Sequence, residues 1–465
     1  MNSSHSRNKQ KIVSITLLSF ILFSFFACKI GNKKEDKNLI LLVVDAMRAD
    51  HLGVYGYGRD TTPYIDRVAQ NAAVCTKAYS QSNWTCTAMA SLFSGTYPTV
   101  HKIYNSFESG QNRYSLLPEN LTTIPEALKQ KDLYTAAVTS CGWVSPHSNY
   151  DQGFDEFHLV DRKDKTLIDK AIDIINTKQK KNFFLYIHLL ELHDYYFMTK
   201  EHNKFLKSSY DLSPSLLQLQ PNKPAENYKT LSRMSGQKEI VQEDLDYLID
   251  LYDSHLSYTD SLVGQLVQTL EKNKILDKTI LIITADHGES FFEHKHLMHG
   301  GNSLYNEVVR VPLIVHNRQL FPEHRQITDN VEMIDIFPTI LDLFQLDDIT
   351  VEHVNQIQGE SLLGKKRNKV VFIENAGRNV NKIIQSKWSF IFNKQGQKRE
   401  LYDLEADPYE QTNLAEKDPK TTNTMHRLLV EKIEESLNLS QKIIPKDAEI
   451  NEEVKKVLKS LGYIK

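Results

Sequence analysis

The sequence predicts an α/β protein: a doubly wound, mostly parallel central sheet flanked by helices, followed by a smaller antiparallel sheet. Three observations carry this. Continuous apolar runs of strand length occur at Asn38–Val44, Phe183–Leu190 and Thr279–Thr284, the mark of strands buried on both faces. Segments with helical periodicity alternate with them, the order that builds parallel sheets through crossover helices. The chain has 465 residues, 40% of them apolar, enough for a large core. Its 56 basic and 59 acidic residues are well mixed and leave a net charge of −3. No domain-wide basic face points to nucleic acid.

The first residues read as an address rather than as fold. His5, Arg7, Lys9 and Lys11 precede an apolar run from Ile12 to Phe26, and Ala27-Cys28 follows. This is the pattern of a secretory signal, shorter than the ~20 residues of a spanning helix. A small residue before Cys predicts cleavage after residue 27 and a lipid on Cys28. Residues 28–37 would then tether the protein outside the cytoplasmic membrane, in the cell envelope. Cys75, Cys86 and Cys141 remain, an odd number at irregular spacing. That is no disulfide framework, and at least two are expected to be buried thiols.

The Asn38–Val44 strand ends at Asp45. Ligands of open α/β sheets bind beyond the carboxyl ends of strands, so Asp45 stands where a metal-binding carboxylate would; a turn-capping Asp looks the same in sequence. Thr61 to Gln70 predicts a helix and Ala73 to Ala78 a strand. The stretch Asn83 to Gly95 carries Thr85, Cys86 and Thr87, then a small, apolar run at helical spacing, and Gly95 closes it. It reads as a loop entering a helix N-terminus, where free N–H groups favour an anion. A hydroxyl there becomes a nucleophile if a metal or base activates it, and is otherwise an ordinary N-cap.

Ile124 to Lys131 predicts a helix, Tyr134 to Thr139 a strand, Lys165 to Gln179 an amphipathic helix. Phe183–Leu190 carries His188, with Glu191 and His193 just past its end. Residues 198–235 have weak periodicity and read as an insertion over the site. A long helix spans Val241 to Lys272, and the Thr279–Thr284 strand ends at Asp286-His287-Gly288. The loop from Glu293 to Gly301 holds three His, which invite a zinc reading, although exposed loop His are common. A strand at Val311–His316 and a helix at Ile334–Phe344 follow. Short strands near 369–374, 382–385, 387–392 and 400–404 predict the antiparallel sheet. The expected organisation is a signal over 1–27, a tether over 28–37, a catalytic domain over 38–348, a small β subdomain over 349–420 and a helical tail over 421–465.

Asp45, the His188/Glu191/His193 group, Asp286-His287 and the Thr85 hydroxyl together suit a divalent metal that activates an alcohol and holds an oxyanion. At this point the chain resembles the sulfatase family of the alkaline phosphatase superfamily. The matching segments are Val44-Asp-Ala-Met-Arg-Ala-Asp-His-Leu-Gly, Thr62-Pro-Tyr-Ile-Asp-Arg, Ala90-Ser-Leu-Phe-Ser-Gly, Thr284-Ala-Asp-His-Gly-Glu, His299-Gly with Ser303-Leu-Tyr-Asn-Glu, Arg310-Val-Pro-Leu and Glu400-Leu-Tyr-Asp-Leu-Glu-Ala-Asp-Pro. The resemblance implies that Asp45, Asp286 and His287 are metal ligands for calcium, magnesium, manganese or zinc. Thr85 falls at the nucleophile position. His193 and His299 would contact the substrate's oxyanion or protonate its leaving oxygen. Asn105, Lys102 and His188 are assigned to substrate binding.

The departures from that family are informative. Ordinary sulfatases convert a Cys or Ser to formylglycine, guided by a Pro two residues on and an Arg four on. After Thr85 those positions hold Thr87 and Met89, after Cys86 they hold Ala88 and Ala90, and Cys86 slips the register to Gly95 by one. Ala46 stands where the family has a second metal Asp. A sulfated Thr has no second hydroxyl to expel the sulfate, whereas a phosphorylated Thr is cleared by attack at phosphorus. The expectation is therefore a metal-dependent hydrolase or transferase of anionic phosphate, phosphonate or sulfate esters acting through a covalent Thr85 intermediate. A sulfatase proper and a non-catalytic anion-binding lipoprotein are the alternatives.

Overall fold

The computed structural model describes residues 37–456 apart from 105–112, 161–165, 197–202, 220–223, 300, 347–356, 365–368, 376, 378, 450–451 and 453–454. Its strands, in chain order, are β1 Asn38–Val44, β2 Ala72–Tyr79, β3 Arg113–Leu116, β4 Tyr134–Thr139, β5 Glu156–Leu159, β6 Phe183–Leu189, β7 Thr279–Thr284, β8 Arg310–His316, β9 Arg325–Glu332, β10 Val370–Glu374, β11 Val380–Gln385, β12 Trp388–Asn393, β13 Lys398–Asp403 and β14 Lys446–Glu449.

Eight strands form the main sheet in the order β5-β4-β6-β1-β7-β8-β2-β9. Its pairs are parallel except β7 with β8 and β8 with β2. β1 lies between β6 and β7, and Val43 is level with His188 on one side and Thr284 on the other. Every residue of β1, β6 and β7 is buried, the reason these runs are apolar throughout. Since all three run the same way, their carboxyl ends emerge together. That edge positions the site.

The second sheet is an antiparallel meander, β10-β11-β12-β13. Adjacent residues of a strand point to opposite faces, so the sheet presents two apolar surfaces. Val371, Ile373 and Ile384 pack with Tyr79, Leu304, Val308 and Val309. Phe372, Ile383, Phe390 and Leu401 pack with Tyr97, Ile334 and, from the Pro419–Ser440 helix, Met425 and Leu429. Lys382, on the same face as Val380 and Ile384, is buried and held by Glu410 at 2.7 Å and Asn306 at 2.9 Å.

The structure differs from the sequence expectation at β9, in the stretch 198–235 and in the tail. β9 adds an edge strand at Arg325–Glu332 whose first half is exposed, so it lacks an apolar run. The stretch 198–235 contains a helix, Pro224–Ser235, which weak periodicity concealed. The tail is not helical throughout: after the Pro419–Ser440 helix, β14 pairs antiparallel with β3, from more than 300 residues earlier in the chain. Two such four-residue strands are too short to show a period. Cys75, Cys86 and Cys141 are buried thiols in no disulfide, as expected. No helix among the described residues is long and apolar enough to cross a membrane. Cys28 and the segment before it lie outside the described residues.

Candidate active site

The helix Thr85–Ser94 begins at Thr85 itself. Its N-cap is Trp84, which makes no side-chain cap, and Gly95 ends it in the left-handed conformation at φ 67°, its N–H donating to Ser91. The Thr85 hydroxyl is therefore not consumed in capping. It lies 3.2 Å from Nε2 of His287 and 3.4 Å from Oδ2 of Asp45. Nδ1 of His287 is 2.9 Å from the Gly288 carbonyl, which only accepts. Nδ1 thus carries the ring proton, and Nε2 turns a lone pair to the hydroxyl.

Asp45, His188 and Asp286 come together from the ends of β1, β6 and β7. One ligand atom from each lies within 4.8 Å of the others. Donors sharing one cation at 2.0–2.6 Å are at most ~5 Å apart, so the spacing suits a single ion. Oδ1 of Asp286 takes two backbone N–H groups, from Ala46 at 3.2 Å and His287 at 2.9 Å. Oδ2 of Asp286 and Nε2 of His188 have no hydrogen-bond partner among the described residues, although both are buried. Two carboxylates sealed from water need a compensating positive charge, and a carboxylate–imidazole donor set fits a divalent cation. Tyr186 Oη lies 2.9 Å from Nδ1 of His188; with Nδ1 donating to it, Nε2 faces the carboxylates as a ligand. Burial pushes the His188 pKa down to about 4 and lowers that of His287 as well, leaving both imidazoles neutral.

The turn after β1 is shaped for this. Ala46 has φ 57°, an uncommon conformation for a residue with a Cβ. Tyr252 holds the turn from both sides: its hydroxyl accepts the Arg48 N–H and donates to the Ala46 carbonyl, each at 2.8 Å. Ala46 thus contributes its backbone N–H to Asp286 where a carboxylate is missing.

Two more histidines close the site. His299 stacks on His287 with ring centroids 4.1 Å apart, and His193 lies edge-on to His299 at 5.3 Å. Each is backed by a carboxylate through Nδ1, His299 by Glu289 at 3.1 Å and His193 by Asp194 at 2.9 Å. The other loop histidines diverge, His294 to Glu307 at 2.7 Å and His296 to Ser235 at 2.8 Å, so the three do not converge on a zinc ion.

The structure therefore gathers Thr85, Asp45, Asp286, His287, His193 and His299 around one point. His188 joins the candidate metal ligands rather than the substrate groups, because its register beside Val43 aims it at Asp45, 3.9 Å away. Lys102, expected among the substrate groups, donates its ammonium to the Ile443 carbonyl at 2.9 Å, just past the Pro419–Ser440 helix. Asn105 lies outside the described residues. Cys86 is buried, and burial pushes its thiol up to about 12, far from a reactive thiolate. Sequence reasoning missed Tyr186, Tyr252 and Glu289. Of these only Glu289 left a signal, as a carboxylate two residues after His287.

The fold is that of ester hydrolases of the alkaline phosphatase superfamily. A family model described as Sulfatase matches residues 37–346, and one described as N-sulphoglucosamine sulphohydrolase, C-terminal, matches 293–438; the chain belongs to the sulfatase family, which generally binds a divalent metal. Arylsulfatase K of Gallus gallus is 24% identical over 84% of this chain and 81% of its own. A solved putative sulfatase from Bacteroides thetaiotaomicron superposes with a TM-score of 0.69 at 18% identity, over 88% of this chain and 95% of that one. The phosphonate monoester hydrolase of Agrobacterium radiobacter superposes with a TM-score of 0.63 at 16% identity, over 88% and 96%.

Proposed function

We propose that this chain hydrolyses or transfers phosphate or phosphonate esters through the unmodified Thr85 alcohol. The observation that carries the reading is the Thr85 hydroxyl, spent on no cap and lying 3.2 Å from a histidine lone pair. Asp45, His188 and Asp286 would hold a divalent cation, with His287 beside them, and such an ion supplies charge that lowers an alcohol's pKa and offsets charge on the transferred group. Thr85 gives its proton to His287 or Asp45 as Oγ1 bonds to phosphorus. The bond to the ester oxygen breaks on the opposite side, and that oxygen takes a proton from His299 or His193. The N–H groups at the start of the Thr85–Ser94 helix favour the charge that develops. Water or an acceptor alcohol then attacks phosphorus, and Thr85 recovers its proton as it leaves.

Phosphorus is favoured over sulfur by the second half-reaction. A sulfothreonine has no neighbouring hydroxyl to push sulfate off, whereas a phosphothreonine is open to attack at phosphorus. A sulfatase reading is supported by the matching sulfatase family models and by the names of the curated relatives. A lipid on Cys28 and a seat in the cell envelope complete the proposal, supported by the Ile12–Phe26 apolar run before Ala27-Cys28.

The test is turnover of a bis-aryl phosphate diester, an aryl phosphonate monoester and an aryl sulfate by wild type and Thr85→Ala. Phosphorus-ester turnover should fall by roughly 10³-fold or more in Thr85→Ala, since the covalent route disappears. Turnover of the sulfate alone, with a modified residue at 85 or 86 by mass spectrometry, establishes the sulfatase reading instead.

A further inference from the structure

A cavity of about 230 Å³ lies where the main sheet meets turns of the small one. None of the residues gathered around Thr85 lines it. Its walls include Lys77, Tyr79, Arg310 and Asn330 from β2, β8 and β9, and Lys387 and Glu405 from beside β12 and β13. An irregularity in β2 shapes it. The pairing of β2 with β8 shifts register between Cys75 and Ala78, and that with β9 between Cys75 and Lys77, so Thr76 is paired in neither ladder. Thr76 and Lys77 are also the two residues of β2 that are only partly buried. A bulge frees backbone groups and re-aims side chains. Here the Thr76 carbonyl accepts from Nη2 of Arg310 at 2.8 Å, and Lys77 turns to the cavity.

The charges on this wall are not matched. No acidic side chain pairs with Lys77 or Arg310 among the described residues, and Nε of Arg310 is buried there without a hydrogen-bond partner. The hydroxyl of Tyr79, a side chain 2% exposed, has no partner among them either. Lys387 is paired with Asp403 at 2.5 Å, and Glu405, the one acid of the wall, is exposed. Two partly buried cations facing one cavity repel each other and have lost water. An anion between them offsets both costs. We propose that this cavity binds a phosphate or sulfate group, held by Lys77 and Arg310 with the Tyr79 hydroxyl as a neutral donor. A guanidinium and an ammonium reaching one point from different strands suit an anion with several acceptor oxygens. The occupant bridges the two sheets and so adds to stability. The site is separate from the chemistry at Thr85 and does not depend on it.

The experiment is equilibrium dialysis of the purified protein against inorganic phosphate, inorganic sulfate and phenylphosphonate, which has no ester bond to be consumed. Lys77→Glu gives Arg310 a partner within the chain. It should therefore weaken one anion site by at least about tenfold, without lowering Tm and without changing ester turnover. Lys77→Gln should weaken the same site by at least about threefold. Lys387→Gln, whose charge Asp403 already offsets, should change it by less than about twofold. Phenylphosphonate binding that is lost in Lys77→Glu supports a phosphate group carried on a larger molecule; loss confined to the inorganic ions supports the free anion. Equal anion binding by wild type and Lys77→Glu overturns the proposal. So does a loss as large in Lys387→Gln as in Lys77→Gln, which would mark a general effect of surface charge. If Lys77→Glu does not fold, the comparison of Lys77→Gln with Lys387→Gln decides the matter alone.

Discussion

Thr85 Oγ1 and His287 Nε2 lie 3.2 Å apart although 202 residues separate them. One comes from the first turn of a helix and the other from the loop after β7. The Gly288 carbonyl fixes the histidine tautomer, so Nε2 faces the hydroxyl as an acceptor, as Asp45 Oδ2 also does at 3.4 Å, and the one hydroxyl proton can serve either.

The neighbouring thiol takes no part in this pairing, although Cys86 is the residue type that sulfatases modify. Cys86→Ala should keep turnover within about twofold of wild type, as expected for a small buried change outside the chemistry. Intact-mass measurement should find no aldehyde at residue 86. Loss of turnover in Cys86→Ala, with the fold intact by circular dichroism, counts against Thr85 as the nucleophile.

Asp45 and Asp286 are buried together, so a cation should stabilise the fold as well as the chemistry. A divalent ion at a hundredfold excess over its Kd adds about 2.7 kcal/mol to unfolding. Chelation should lower Tm, and readdition of calcium, magnesium, manganese or zinc should restore it. His188→Ala and Asp286→Asn should weaken binding in calorimetry, while Lys102→Ala should not. A Tm indifferent to chelator and to all four ions would sink the metal assignment.

Without metal, His188 makes stability depend on pH. Its folded pKa is about 4, depressed by burial from the ordinary 6.5, so the unfolded chain binds more protons between those values. Stability should therefore be complete above pH 6.5 and be lost progressively as pH falls toward 4, by about 3 kcal/mol at ~1.4 kcal/mol per unit. Urea titrations of the chelated protein across that range measure it, and His188→Ala should flatten the slope. An unchanged slope in that variant would assign the dependence to another group.

A buried ion pair within the small subdomain meets the main body at Asn306. Lys382 meets Glu410, whose other contacts are Ser389 at 2.6 Å and the Asn306 N–H at 2.8 Å. Lys382→Met leaves Glu410 charged and enclosed and should cost about 3–5 kcal/mol. The double change Lys382→Met with Glu410→Leu should recover part of that loss. Equal stability of single variant and wild type in denaturant melts would show that the pair contributes nothing.

Much of the fold was legible locally. β1, β4 and β7 run from the residue expected to the residue expected, because interior parallel strands are apolar throughout and end sharply at polar residues. β9, β3 and β14 were not legible, since short or half-exposed strands owe their existence to a partner rather than to their own pattern. At the site, Asp45, Thr85 and Asp286-His287 stood out as polar residues at strand ends and a helix start. Tyr186 and Tyr252 did not, because a tyrosine that orients a histidine or a turn looks in sequence like any core aromatic.

The sequence by itself determined which segments are buried strands and helices, and which acids, histidines and hydroxyl stand at their ends, since hydrophobic periodicity and terminal signals act over a few residues. Only the tertiary structure decided that β6, β1 and β7 are neighbours, and hence that His188 stands with Asp45 and Asp286, while Lys102 meets the Ile443 carbonyl. Strand order follows from how crossover helices and both sheet faces pack across the whole chain, and a side chain's aim follows from register with a strand more than 140 residues away. No local pattern encodes either one.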